Sequence, residues 1–199
     1  MPFGLWKKTP FEERLKELRL ELKYFNSIIG GYPTKIRNVT EARQVRIRWN
    51  KTQLLVEKLL QEKPNSLEVK IALADLLRMG HNIDVSGAAQ ASDQLLKEII
   101  KTNPSNFDAY YCLAKMYVTL DPKLAHDAES YFLKAENSAA PNVVSDIYQG
   151  LGFACLYQEK TSEAIGYFEK FLQLEGDAPH IHEIVVNLKA GKKAQIIAK

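Results

Sequence analysis

Apolar residues recur along this chain at helical steps of three and four, and the interruptions fall at glycine and proline. Leu15, Leu18, Leu22, Phe25 and Ile29 form the first such stripe. Thr9-Pro10-Phe11-Glu12 suits its start: Thr9 can cap, Pro10 fits the first turn, and Glu12 can return a hydrogen bond to the cap. Gly30-Gly31 and Pro33 end it. A second, longer helix is predicted from Asn38 or Thr40 to about Lys63, stopping before Pro64. Its apolar positions are Val45, Ile47, Trp49, Leu54, Leu55, Val56, Leu59 and Leu60.

Beyond Asn65 the pattern predicts helices in pairs. These are about Leu67–Met79 with Gly87–Lys101, Asn106–Leu120 with Lys123–Ser138, and Asn142–Tyr157 with Lys160–Leu174. Pro64, Pro104 and Pro141 each close a pair, because proline cannot continue the helical hydrogen-bond ladder. A last helix from Pro179 sets Ile181, Ile184, Val185 and Leu188 on one side, followed by Lys189, Lys192 and Lys193. Such an element covers an apolar end and shows water its other face.

The third pair contains Tyr148-x-x-Leu151-Gly152-x-x-Cys155, then Ala164-x-x-x-Phe168. The second has the same frame in Tyr110-x-x-Leu113-Ala114-x-x-Tyr117, then Ala128-x-x-x-Phe132. This spacing resembles the tetratricopeptide repeat (TPR) family over residues 65 to 175. In that frame Gly152 and Ala114 are small because the paired helices cross closely there. Ala128 and Ala164 match them on the second helix, while Phe132 and Phe168 fill the space between adjacent units. The first pair, with Leu73-Ala74 and Ser92-x-x-x-Leu96, departs at Lys70, where the family has an aromatic residue. The third departs at Cys155 and at Gly176. The proline intervals of 40 and 37 residues exceed the 34-residue repeat, with the excess in the turns His81–Val85 and Leu120–Lys123.

The resemblance implies an all-α, TPR-like α-solenoid, a right-handed superhelix of antiparallel helix pairs. The expected division is 1–63 as an N-terminal basic helical segment, 64–177 as three repeats, and 178–199 as a C-terminal capping helix and tail. Residues 11–29 and 40–64 can be read as a degenerate extra unit lacking the Leu-Gly pair. The resemblance also implies a concave groove lined by the first helix of each pair: Ile71, Asp75 and Arg78, then Tyr111, Lys115 and Val118, then Gln149, Phe153 and Leu156. Tyr111 and Phe153 are the expected anchors. The blander reading is that Phe153 and Leu156 pack against the last helix. Only Lys115 matches the paired Lys and Asn side chains with which one TPR type grips a C-terminal carboxylate. The mixed aliphatic and aromatic lining suits an amphipathic helix or an apolar extended segment better.

Composition narrows the alternatives. Apolar residues make up 46% and charged residues 26% of the 199, which is ordinary for a globular protein. Residues 1–63 hold 14 Lys and Arg against 7 acids, a surplus of +7 that leaves −4 for the remainder. A basic head on an acidic body could attract anionic partners or let copies associate head to tail. Arg43, Arg46 and Lys51 are the candidate contacts for nucleic acid or an anionic surface, although a solvated helix face is the favoured account. Two cysteines, Cys112 and Cys155, give no disulfide framework. The N-terminus lacks the apolar run of a signal peptide and no stretch is long enough to span a bilayer, so a cytoplasmic location is expected.

No catalytic constellation stands out. His180 and His182 lie two positions apart and point differently on a helix, while His81 and His126 fall in or near turns. Gly30-Gly31-Tyr32-Pro33 follows a helix and lacks the Gly-Lys-Ser/Thr ending of a phosphate loop. No enzyme activity, metal or cofactor is expected. The expected function is a scaffold or adaptor that holds a protein segment, with self-association as a natural extension and nucleic acid disfavoured.

Overall fold

The computed structural model describes residues 9–31, 33–137 and 143–192. Residues 1–8, Tyr32, Ser138, the stop and start expected at Pro141 and Asn142, Lys193 and the rest of the tail lie outside them. Among the described residues every regular element is helical. The chain falls into two compact units, residues 1–99 and 100–199, so residues 64–99 share a unit with the N-terminal helices.

The first unit is built from α1 (Phe11–Ile29), α2 (Val39–Glu62), α3 (Leu67–His81) and most of α4 (Ala88–Thr102). Asn38 Oδ1 accepts from the Glu41 amide at 2.9 Å and Ser66 Oγ from Val69 at 3.4 Å, which sets the starts of α2 and α3. At α1 the capping position is Pro10, one residue later than the expected Thr9, and Pro10 makes no side-chain cap bond. Leu15, Leu18, Phe25 and Ile29 of α1 join Val45, Trp49, Leu55, Val56 and Leu59 of α2 and Val69, Leu76 and Met79 of α3 in one core. Ile47 and Leu54 are 46% and 49% exposed, contrary to their place in the expected stripe. They lie two helical turns apart on the side of α2 opposite Val45, Thr52 and Val56.

Polar ties complete this unit. Trp49 packs its ring where a side chain on Gly80 would otherwise sit, only 2.7 Å from a Cβ built there. Its Nε1 donates to the Leu76 carbonyl at 2.9 Å, so the buried indole is satisfied. The last carbonyls of α1 receive donors from elsewhere in the unit: Lys35 N on Ile28 at 2.8 Å, Asn82 Nδ2 on Ile29 at 2.8 Å, and Arg78 Nη1 on Gly30 at 2.7 Å. Ser92 Oγ donates to the Ala74 carbonyl at 2.8 Å and ties α4 to α3.

The second unit runs α5 (Phe107–Leu120), a 3-10 turn at Pro122–Leu124, α6 (Ala125–Glu136), α7 (Val144–Tyr157), α8 (Thr161–Glu175) and α9 (Pro179–Lys189). Each α-helix packs on the next. The helix expected from Lys123 begins at Ala125, because Asp121 caps the 3-10 turn through the Lys123 amide. Phe168 of α8 lies over Gly152 of α7, where a Cβ would fall 2.5 Å from the ring. Phe132 of α6 lies over Gly150 in the same way and leaves still less room. Ala114, Ala128 and Ala164 are fully buried, so the small positions are the close crossings that the repeat frame requires. Ile181, Val185 and Leu188 of α9 close the end by joining the Phe168–Phe171 cluster. α8 stops at Gly176, whose φ of 74° lies in the left-handed region that favours glycine.

Candidate functional site

In the second unit α5 and α7 are neighbours, and their unburied sides bring most of the expected groove residues together. Helical steps of three and four place Tyr111, Lys115 and Val118 along α5 and Gln149, Phe153 and Leu156 along α7, all partly exposed. The Tyr111 hydroxyl donates to Asp146 Oδ2 at 2.8 Å and so bridges the two helices. Its ring stacks on Phe107, with centroids 5.5 Å apart at 17°, and Lys115 Nζ stands 4.7 Å from its centre. Phe107 and Asp146 therefore belong to this face, though the family frame does not single them out. Their position one helical turn before Tyr111 and Gln149 is the signal in the sequence that marks them.

Phe153 meets Phe168 edge to face at 5.1 Å, and both Phe153 and Leu156 pack on the cluster that holds α9. They combine a supporting role in the core with partial exposure. Val118 similarly leans on the Tyr110–Leu151 core. Tyr111, Lys115 and Gln149 are the partly exposed side chains of this face that end in a polar group.

In the first unit Ile71 and Asp75 are partly exposed on α3. Arg78 is not: it is 2% exposed, bonded through Nε to Asp75 Oδ1 at 2.8 Å and through Nη1 to Gly30. A guanidinium so placed braces the end of α1 and is withdrawn from any partner. Arg78 follows Asp75 by three residues, the spacing of an ion pair within one helix.

The basic segment is largely engaged within its own unit. Arg14 holds Glu62, Arg19 holds Glu68, Arg37 holds Glu41, and Arg48 pairs with Glu21 while lying 3.6 Å from the Tyr24 ring centre. Arg46 Nη2 donates to the Asp84 carbonyl at 3.1 Å, whereas Arg43 and Lys51 are exposed. Arg46 therefore braces the turn after α3 rather than standing free beside Arg43.

One polar cluster lies away from the α5–α7 face. Glu129 of α6 accepts from Lys160 Nζ at 2.7 Å and Gln158 Nε2 at 2.8 Å, with Cys155 Sγ at 3.7 Å. Burial alone would raise the Glu129 carboxyl, but the bonds from Lys160 and Gln158 outweigh it and hold it below the ordinary carboxylate value. Burial first, then the Glu129 charge, pushes the Cys155 thiol up to about 12. It stays protonated and is a poor nucleophile. Among the described residues no group of three His, Cys, Asp or Glu could hold a metal ion, and no helix is long and apolar enough to cross a membrane.

No protein-family model matches the chain, and no curated protein does. A solved structure described as the functional characterization of Pseudomonas aeruginosa pilF is similar over 91% of this chain and 70% of that one. The TM-score is 0.66 at 18% identity, and that protein contains TPR repeats. At such identity the likeness speaks for the fold. Together with the ring-on-glycine crossings, it shows an all-α, TPR-like repeat architecture of consecutively paired helices.

Proposed function

We propose that this chain is a non-catalytic adaptor whose α5–α7 face holds an amphipathic helix or an apolar extended segment of a partner protein. The observation that carries the proposal is the run of Tyr111, Lys115, Gln149 and Phe153, partly exposed on adjacent helices held in place from behind. Fixed aromatic side chains lose little freedom on binding, and such residues dominate interface energies. Lys115 and Asp146 supply charge of both signs beside the Tyr111 ring and hydroxyl. Ile71 and Asp75 on α3 extend the same proposal to the first unit. A cytoplasmic setting belongs to it too, supported by Cys112 and Cys155, which are buried and not joined in a disulfide.

The partner is sought by affinity capture on the wild-type chain and mass-spectrometric identification. Calorimetric titration then compares it with the variant Tyr111→Ala, Phe153→Leu. The expected loss is ~1–4 kcal/mol of binding energy with the helical content intact. Unchanged affinity contradicts the proposal.

Binding of nucleic acid through Arg43, Arg46 and Lys51 is the alternative. The internal engagement of Arg14, Arg19, Arg37, Arg46 and Arg48 argues against it. Contact with several phosphates would show as a steep loss of affinity with rising salt, and the adaptor proposal expects no such binding.

A further inference from the structure

Two exposed patches of opposite charge sit at opposite ends of the sequence, and neither belongs to the α5–α7 face. The first is the outer strip of α2, where Ile47 and Leu54 are 46% and 49% exposed and alternate with Arg43 and Lys51. These four positions fall on one helix face, away from the buried Val45, Trp49 and Val56. Unlike Arg14, Arg19, Arg37 and Arg48, the two cations have no carboxylate partner among the described residues.

The second patch is the α8–α9 junction. Leu174 and Val186 there are 56% and 53% exposed. A shallow notch of about 420 Å³ runs along the turn into α9, where Ala178, Pro179 and Val186 line it together with Asp177, His182 and Glu183. Both carboxylates are exposed and have no ion-pair partner among the described residues. Exposed apolar side chains beside two cations on α2 thus have a counterpart in exposed apolar side chains beside two anions at the start of α9.

We propose that the α2 strip of one copy seats on the α8–α9 notch of a second copy, giving a head-to-tail contact. It is heterologous, so each copy has one donor surface and one acceptor surface left for further copies. The strips are short beside the ~1,200–2,000 Å² of a stable interface, so the association is weak and depends on concentration. With two charge pairs at its rim, it also weakens with salt.

Sedimentation equilibrium of the full chain over rising concentration, at low and high salt, tests this. Two variants accompany it: Ile47→Asn, Leu54→Asn at the head, and Leu174→Asn, Val186→Asn at the tail. All four positions are exposed, so both variants should melt as the wild type does. The wild type should associate, less so at high salt, and each variant alone should associate at least about tenfold more weakly. Mixing the two should restore a one-to-one pair, because each carries the intact surface that the other lacks. A wild type that stays monomeric, or a mixture that behaves as its separate components, overturns the proposal. So does a monomeric wild type that co-sediments with phosphatidylserine vesicles, which would give the α2 strip to a lipid surface. Loss of partner binding by Tyr111→Ala leaves this measurement unaffected, so the two proposals fail separately.

Discussion

The two compact units meet the same requirement, close helix packing, with different chemistry. In the second unit an aromatic ring lies over a small residue at successive crossings: Phe132 on Gly150 and Phe168 on Gly152. Among the described residues the first unit has one such crossing, Trp49 on Gly80, and adds directional polar ties through Arg78, Asn82, Trp49 Nε1 and Ser92. Apolar crossings depend on shape and recur with the repeat spacing. Polar ties depend on particular partners, so they break the repeat pattern while serving the same end. One unit therefore matches the TPR frame and the other only approaches it.

The largest expected effect separates the two chemistries. Arg78→Ala removes the donor to the buried Gly30 carbonyl and the charge that pairs with Asp75, and should destabilise the first unit by ~3–5 kcal/mol in urea titration. The second unit should keep its own transition, since two compact units need not unfold as one. A loss shared equally by both units would erase the distinction.

A smaller effect is expected for Trp49→Phe, which keeps an aromatic ring near Gly80 but leaves the Leu76 carbonyl without the indole donor. About 1–3 kcal/mol should be lost, as for a buried hydrogen bond broken on one side. A negligible change would mean that ring packing alone suffices in this unit too.

The pH dependence sharpens the comparison from the other side. The Glu129 carboxyl titrates below its unfolded value, so its contribution is present above about pH 4.3 and is lost as the pH falls through the folded value. Glu129→Gln should therefore flatten the acid limb of the second unit's stability curve by about 1 kcal/mol. An acid limb identical to the wild type's would show that the Lys160 and Gln158 bonds contribute nothing.

Much of the second unit is legible in the amino-acid sequence. Helix periodicity places α5 to α9, and Leu151-Gly152 with Ala164 and Phe168 marks the crossing of α7 and α8. Gly150 escapes because the family frame assigns no small residue there, yet Phe132 reaches it from the preceding helix. In the first unit an apolar stripe alone does not separate buried Val45 from exposed Ile47, since α2 carries apolar residues on both sides. Arg78 reads as a groove contact for a related reason: helix position gives direction, while burial depends on what α1 brings against it. On the candidate face, Tyr111 and Lys115 follow from spacing, but the bridge to Asp146 depends on how α5 and α7 sit side by side.

Gly152 and Gly166 offer the most direct test of the claim that close crossings build this fold. Both lie inside helices, but a Cβ at Gly152 would meet Phe168 at 2.5 Å, whereas at Gly166 nothing lies within 4 Å. Glycine in a helix ordinarily costs about 1 kcal/mol relative to alanine, so Gly166→Ala should stabilise the second unit by ~0.5–1 kcal/mol. At Gly152 the displacement of a fully buried ring should outweigh that gain, and Gly152→Ala should destabilise by ~1–3 kcal/mol. Urea titration of the two variants should therefore give shifts of opposite sign. Stabilisation by both would contradict the account.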